Sequence, residues 1–212
     1  MLLAQRRPSP ARLLLLAAYG FFCWLMWLIV AQYFEGRSDT AFLGIKQEYV
    51  RLPFYLPAFY IHVFASVLAL PAGLSQFSST LQRRFPAIHR FNGWLYVASI
   101  LLLAAPSGFY IGLFANGGLS SRISFCLLAL LWFWFTLAAV RNAIQKRFSA
   151  HKAFMYRSFA LTLSAITLRI WKYALVATLH PRPMDVYQVV AWLGWIPNLL
   201  IAEYLIFKRI RK

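Results

Sequence analysis

The chain has 212 residues, of which 61% are hydrophobic, 18% aromatic and only 13% charged. A soluble domain carries about a quarter charged residues, and here the shortfall lies in long apolar runs, so lipid rather than water is the main solvent. The formal charge of +17 would suggest nucleic acid in a soluble protein; in a membrane protein the same bases face anionic headgroups and set orientation, so no nucleic-acid partner is expected.

Six runs are long enough to cross a bilayer, at about 13–32, 55–78, 91–114, 122–142, 153–178 and 186–207. The expected fold is all-α, a six-helix transmembrane bundle forming one integral membrane domain over 1–212. Arg6, Arg7 and Arg12 precede the first run as in a signal peptide. That run is long enough to span and has no clean small-residue cleavage site, so it reads as a retained helix. The 33–54 connection is the longest, and Tyr49, Phe54, Tyr55, Phe59 and Tyr60 around it read as an interfacial aromatic belt.

Lysine and arginine alternate along the connections. The N-terminus, the 79–90 loop, the 143–152 region and the C-terminal tail hold most of them, including Arg83, Arg84, Arg90, Arg141, Lys146, Arg147, Lys152 and Lys208. The opposite set holds only Arg37, Lys46, Arg51, Arg122 and Arg182. The positive-inside rule then places both termini on the cytoplasmic side of the membrane, with anionic headgroups as partners on that side.

Residues 81–87 read Leu-Gln-Arg-Arg-Phe-Pro-Ala and are followed by Ile88, His89 and Arg90; residues 144–150 read Ile-Gln-Lys-Arg-Phe-Ser-Ala and are followed by His151 and Lys152. A repeated loop one hairpin apart suggests that the second to fifth helices form a pseudo-two-fold four-helix core, flanked by the first and sixth. Convergence of two basic loops would give the same strings.

Four histidines divide by leaflet: His89 and His151 at the cytoplasmic side, His62 and His180 at the other. Bis-imidazole ligation of a b-type haem is a known use of such pairs on facing helices, which would make the chain an electron-transfer protein or a component of a haem-dependent oxidoreductase. Helix capping or phosphate contacts by His89 and His151 is the plainer alternative. Among intramembrane charges, Arg157 and Glu203 fall at comparable depth in the fifth and sixth helices and are expected to form a buried ion pair. Arg169 and Lys172 share a face of the fifth helix, with no acid at their depth, and with His62 form a candidate site for a lipid-like or small anionic ligand, for binding or transport. Pro197 removes a backbone donor from the sixth helix, and Asn198 beside it can serve the freed carbonyl. No hydrolase or ATPase motif is present. A non-catalytic accessory subunit docked on a membrane-protein partner completes the alternatives.

The strings His89-Arg90 with Gly93 and Tyr96, His151…Met155-x-Arg157-Ser158 with Thr167-Leu168-Arg169, and Ala191-Trp192-x-x-Trp195-x-Pro197-Asn198 with Ala202-Glu203 resemble the bacterial membrane family catalogued as domain of unknown function 2306. Phe154 stands where that family typically shows tryptophan. The resemblance implies a multi-pass inner-membrane protein without an assigned activity, and directs attention to His62, His89, His151, Arg157, Arg169, Asn198 and Glu203.

Overall fold

The computed structural model describes residues 9–180 and 182–210, so Arg6, Arg7, Arg211 and Lys212 lie outside the described residues. The first helix, α1 (Pro10–Ala31), is apolar around most of its circumference, and Leu14, Leu15, Phe21 and Trp24 stand exposed along it. Such a surface suits lipid and not water. Its buried stripe, Met26 and Val30, packs on Val67, Leu70 and Ile166, and Tyr19 donates to the Leu70 carbonyl at 2.7 Å.

After a 3-10 turn (Ala41–Lys46) and the short α2 (Gln47–Val50), the chain enters α3 (Tyr55–Ser75). A connecting helix α4 (Ser79–Arg84), capped by Ser78, leads to α5 (Pro86–Ala98), a π-helical stretch (Ser99–Ala104) and α6 (Ala105–Gly112). The long α7 (Gly118–Ile144) returns, and α8 (Phe148–Thr162) and α9 (Ser164–Leu179) follow with a 40° bend between them. The last elements are α10 (Pro183–Leu193) and α11 (Ile196–Arg209).

Among the described residues, five helices are long and apolar enough to cross a membrane, and six crossings result when the bent α8–α9 pair counts as one. All six expected runs are present. The third, fourth and fifth start several residues earlier than their apolar stretches, at Pro86, Gly118 and Phe148. Proline at the first helical position carries no orphan N–H, so α5 can begin in the polar loop before its hydrophobic run.

The central core joins α3, α5, the π stretch, α6, α7 and α8 through Ala65, Ala69, Ala72, Tyr96, Ile100, Ala104, Ala105, Trp132, Ala139 and Met155. Small residues dominate because helices in lipid associate by close backbone approach and dispersion, without a hydrophobic drive. A second packed layer contradicts the expected aromatic belt in part. Tyr55 and Phe59 are buried together with Tyr33 and Leu43, because the 33–54 connection folds over the bundle end and covers them; Phe54 alone of that set stays prominently exposed.

The repeated loops share a register that their strings only suggested. His89 is the fourth residue of α5 and His151 the fourth of α8, and each donates its backbone N–H to the residue preceding the helix (His89 to Phe85 at 3.0 Å, His151 to Arg147 at 2.9 Å). The extra Ile88 is absorbed by starting α5 one position later relative to the repeat. Both helices are also interrupted at similar depth: the π stretch follows His89 and the Leu163 break follows His151 by comparable lengths. The turns themselves differ, since α4 occupies the first and Lys146 takes a left-handed φ of 59° in the second.

Candidate functional site

Arg169 of α9 comes within electrostatic range of His62 on α3 and of Tyr33, which packs under the 33–54 connection. Arg169 lies in the second turn of α9 and is half-buried. Its Nη1 donates to the Ala165 carbonyl of its own helix at 2.5 Å, and the hydroxyl-bearing Tyr173 and Tyr187 are also in its neighbourhood. Among the described residues no carboxylate pairs with it: Asp39 pairs with Arg37, Asp185 with Arg182 and Glu203 with Arg157. Lys172, one turn on, lies over the Tyr187 ring at 5.4 Å.

His62, on α3, serves a backbone carbonyl of the neighbouring helix. Its Nδ1 donates to the Ala104 carbonyl at 2.8 Å, and its Nε2 lies 3.5 Å from the Ser66 hydroxyl, within electrostatic reach of Arg169. A π turn leaves a carbonyl without its usual helical donor, and in lipid that carbonyl needs another. His62 supplies it. Gly108 makes room, since a Cβ there would meet the imidazole at 2.8 Å.

His180 ends α9 in a left-handed, exposed turn, about 16 Å along the helix from Arg169 by the rise per residue. The Arg169 side chain folds back toward Ala165, away from it.

At the opposite, basic end, His89 and His151 come within electrostatic range of each other. His151 Nδ1 donates to the Ala139 carbonyl at 2.9 Å, which leaves Nε2 with its lone pair. His89 Nδ1 is buried and has no hydrogen-bond partner.

Arg157 and Glu203 meet side-on, Nε to Oε1 at 2.5 Å and Nη2 to Oε2 at 2.8 Å, with the guanidinium 5.2 Å from the Phe154 ring centre. The pair is less enclosed than its sequence positions implied: the Glu203 side chain is 45% exposed, against 16% for Arg157. Glu203 stands on α11, which packs on α8.

Asn198 also acts somewhat differently from the expectation. Its carboxamide serves the Gly194 carbonyl at 3.2 Å, the Ala160 carbonyl at 3.1 Å and the Thr167 hydroxyl at 2.9 Å, and so spans two helix interruptions rather than one proline gap.

Two features escaped sequence reasoning. Tyr96, Trp132, Thr136, Ser158 and Thr162 form a buried polar circuit linking α5, α7 and α8. One proton assignment uses each donor once: Trp132 Nε1 to Thr162, Thr162 to Tyr96, Tyr96 to Ser158, Ser158 to Thr136, and Thr136 to the Trp132 carbonyl. Tyr96 and Ser158 stood inside the family-like strings, the only sequence signal for it. Lys46 is the second. Read as a loop cation, it is 1% exposed; its Nζ donates to the Phe114 carbonyl and lies 4.8 Å from the Tyr49 ring centre. Burial pushes its ammonium down to about pKa 8, with Glu48 opposing the fall and Arg122 adding to it.

Long apolar helices, lipid-facing aromatic surfaces and helix breaks served by side chains define a polytopic, all-helical membrane protein. The chain belongs to the family described as predicted membrane protein (DUF2306), whose profile matches residues 59–206. The matched stretch contains every site residue above except Tyr33 and Lys46. No curated protein and no solved structure matches the chain.

Proposed function

We propose that this protein binds an anionic, lipid-like ligand at Arg169, with His62 and Lys172 near it, in one membrane domain whose termini are cytoplasmic. The observation that carries the reading is Arg169. A guanidinium offers five donors, yet among the described residues this one has a single acceptor, a carbonyl of its own helix, and no acid beside it. A cation at membrane depth costs about 2.5–3.5 kcal/mol on insertion scales unless something offsets it, and a carboxylate or phosphate reaching the guanidinium would do so bidentately. Lys172, one turn on, adds charge.

Thermal unfolding in phosphatidylcholine nanodiscs, with or without phosphatidylglycerol, tests this. Phosphatidylglycerol is expected to raise Tm of the parent by several degrees through preferential binding to the folded state, and Arg169→Gln to lose most of that rise while Arg147→Gln keeps it. Inorganic phosphate added to phosphatidylcholine discs separates a free anion from a lipid headgroup. Equal responses from parent and Arg169→Gln would refute the reading.

A b-type haem between His89 and His151 is the second reading. It is favoured by their equivalent helical positions, by the buried, unpaired Nδ1 of His89 and by the Nε2 that His151 leaves available. The haem would supply one-electron chemistry, while the two imidazoles would hold it. A spectrum of purified protein before and after dithionite decides: a Soret band lost in His89→Ala and His151→Ala supports the site, and its absence from the parent removes it.

A further inference from the structure

Where α1 ends and α3 begins, an apolar groove of about 430 Å³ runs between them, lined by Tyr33, Phe34, Gly36, Tyr60 and Phe64. Its walls are aromatic and brace one another. Tyr60 and Phe64 lie one turn apart on α3 with their rings stacked at 6.1 Å, Phe34 meets Phe64 at 5.2 Å, and Tyr33 stands edge-on to Tyr60 at 6.4 Å. The volume is that of a small-ligand cleft, and the exposed ring of Phe34 leaves it open along one side. Both flanking helices are spans, so the groove begins at the level where apolar chains give way to headgroups.

The chain leaves this groove in a charged turn whose backbone is held in place. Gly36 takes a left-handed φ of 70°, which glycine adopts without steric cost. The Tyr60 hydroxyl donates to the Arg37 carbonyl at 3.1 Å, and Gln47 Nε2 donates to the Ser38 carbonyl at 2.8 Å. The charged side chains of the turn stay open to solvent, Arg37 at 63% and Asp39 at 58% exposure, so a headgroup can reach both. They pair with each other, Nε to Oδ1 and Nη2 to Oδ2, both at 3.2 Å, and Glu35 acts on Arg37 as well. The turn thus presents one guanidinium with two carboxylates beside an apolar groove.

A headgroup with a phosphate and a primary ammonium matches that set. It exchanges the Arg37–Asp39 pair for an Arg–phosphate and an Asp–ammonium pair, and leaves no charge without a partner. An anionic lipid makes only the first of these and sets its phosphate beside two carboxylates. A choline headgroup has no N–H to give to Asp39.

We propose that the groove holds an acyl chain of phosphatidylethanolamine, with the phosphate on Arg37 and the ammonium on Asp39. This site is separate from the one assigned to Arg169, and its headgroup preference is the opposite.

Native mass spectrometry of the full chain, with phosphatidylethanolamine, phosphatidylcholine or phosphatidylglycerol of the same acyl chains added to the detergent, reads the retained lipid directly. The parent is expected to hold phosphatidylethanolamine about threefold to fivefold more tightly than either of the others, the scale of an exposed ion pair. Asp39→Ala combined with Glu35→Gln should lower phosphatidylethanolamine to the level of phosphatidylcholine, and Arg37→Gln should weaken both. Arg182→Gln breaks another exposed Arg–Asp pair, one that does not line the groove, and should keep the parent's preference. Glycerophosphoethanolamine, the headgroup without its chains, should not displace the lipid. Equal retention of phosphatidylethanolamine and phosphatidylcholine by the parent would overturn the proposal, as would a preference that survives loss of both carboxylates. Displacement by glycerophosphoethanolamine at equal concentration would overturn the role of the groove. Arg169→Gln should leave the preference unchanged, so failure of the Arg169 reading and failure here are told apart.

Discussion

Lys46 shows how much one residue can differ from its class. Its ammonium is enclosed by aromatic rings and a carbonyl, with its pKa lowered to about 8 from an ordinary 10.5. The sign of the resulting pH dependence follows from proton counting. Below pH 8 folded and unfolded chains both hold the proton; between about 8 and 10.5 only the unfolded chain does, so stability rises with pH across that window. The expected gain is on the order of 3 kcal/mol at most. It is measured as the difference in Tm between parent and Lys46→Met at pH 7.5 and pH 10; a parent curve parallel to that of Lys46→Met would show that the ammonium is not desolvated. Arg157 and Glu203 follow the opposite logic, because each charge has its partner. Glu203→Gln strands the guanidinium and is expected to cost on the order of 2 kcal/mol. The double variant Arg157→Met with Glu203→Leu should recover most of that loss. A Glu203→Gln protein melting with the parent would mean that the pair contributes nothing.

At the scale of elements, interruptions and their side-chain donors decide the architecture. His62 serves the π stretch, Asn198 and Thr167 serve the two breaks, and the Tyr96 circuit holds α5, α7 and α8 together. Tyr96→Phe removes one link of a buried chain of hydroxyls, so its neighbours lose a partner that lipid cannot replace. A loss of about 1–2 kcal/mol is expected in denaturation, with Tyr204→Phe, on the exposed face of α11, as the neutral control. No change in Tyr96→Phe would show that the circuit re-forms without its phenol.

The existence of the helices was legible because hydropathy over twenty residues is a summed signal, insensitive to any one side chain. Pro197 marked the break in the sixth helix, but the break in the fifth was not legible. Leu163 carries neither proline nor glycine, and nothing in its neighbourhood marks a 40° bend; the bend becomes tolerable only because Asn198, some forty residues on, serves Ala160. Arg157 and Glu203 were legible as a pair since each needed a counter-charge at a matching depth. That the Glu203 side chain stays 45% exposed, however, was not legible.

For the molecule as a whole, the distribution of charge and the even number of crossings should fix which end meets the cytoplasm. Single cysteines at Arg147 and at Gln47, in a background lacking Cys23 and Cys126, are expected to react oppositely with an impermeant maleimide on intact cells, with Gln47 accessible and Arg147 protected. The reverse pattern would invert the orientation.

The sequence by itself determined the solvent, the helical class, the approximate spans and the residues whose charge or chemistry was out of place in lipid, because each of these is a property of composition or of local spacing. Only the tertiary structure decided which of those residues meet. It left His180 exposed at the end of α9, brought Arg169 within electrostatic range of His62 and Tyr33, enclosed Lys46 and joined two helix breaks through Asn198. Those outcomes depend on helix rotation and crossing, which in a bilayer are set by close packing of small side chains and by the need of every freed carbonyl for a donor.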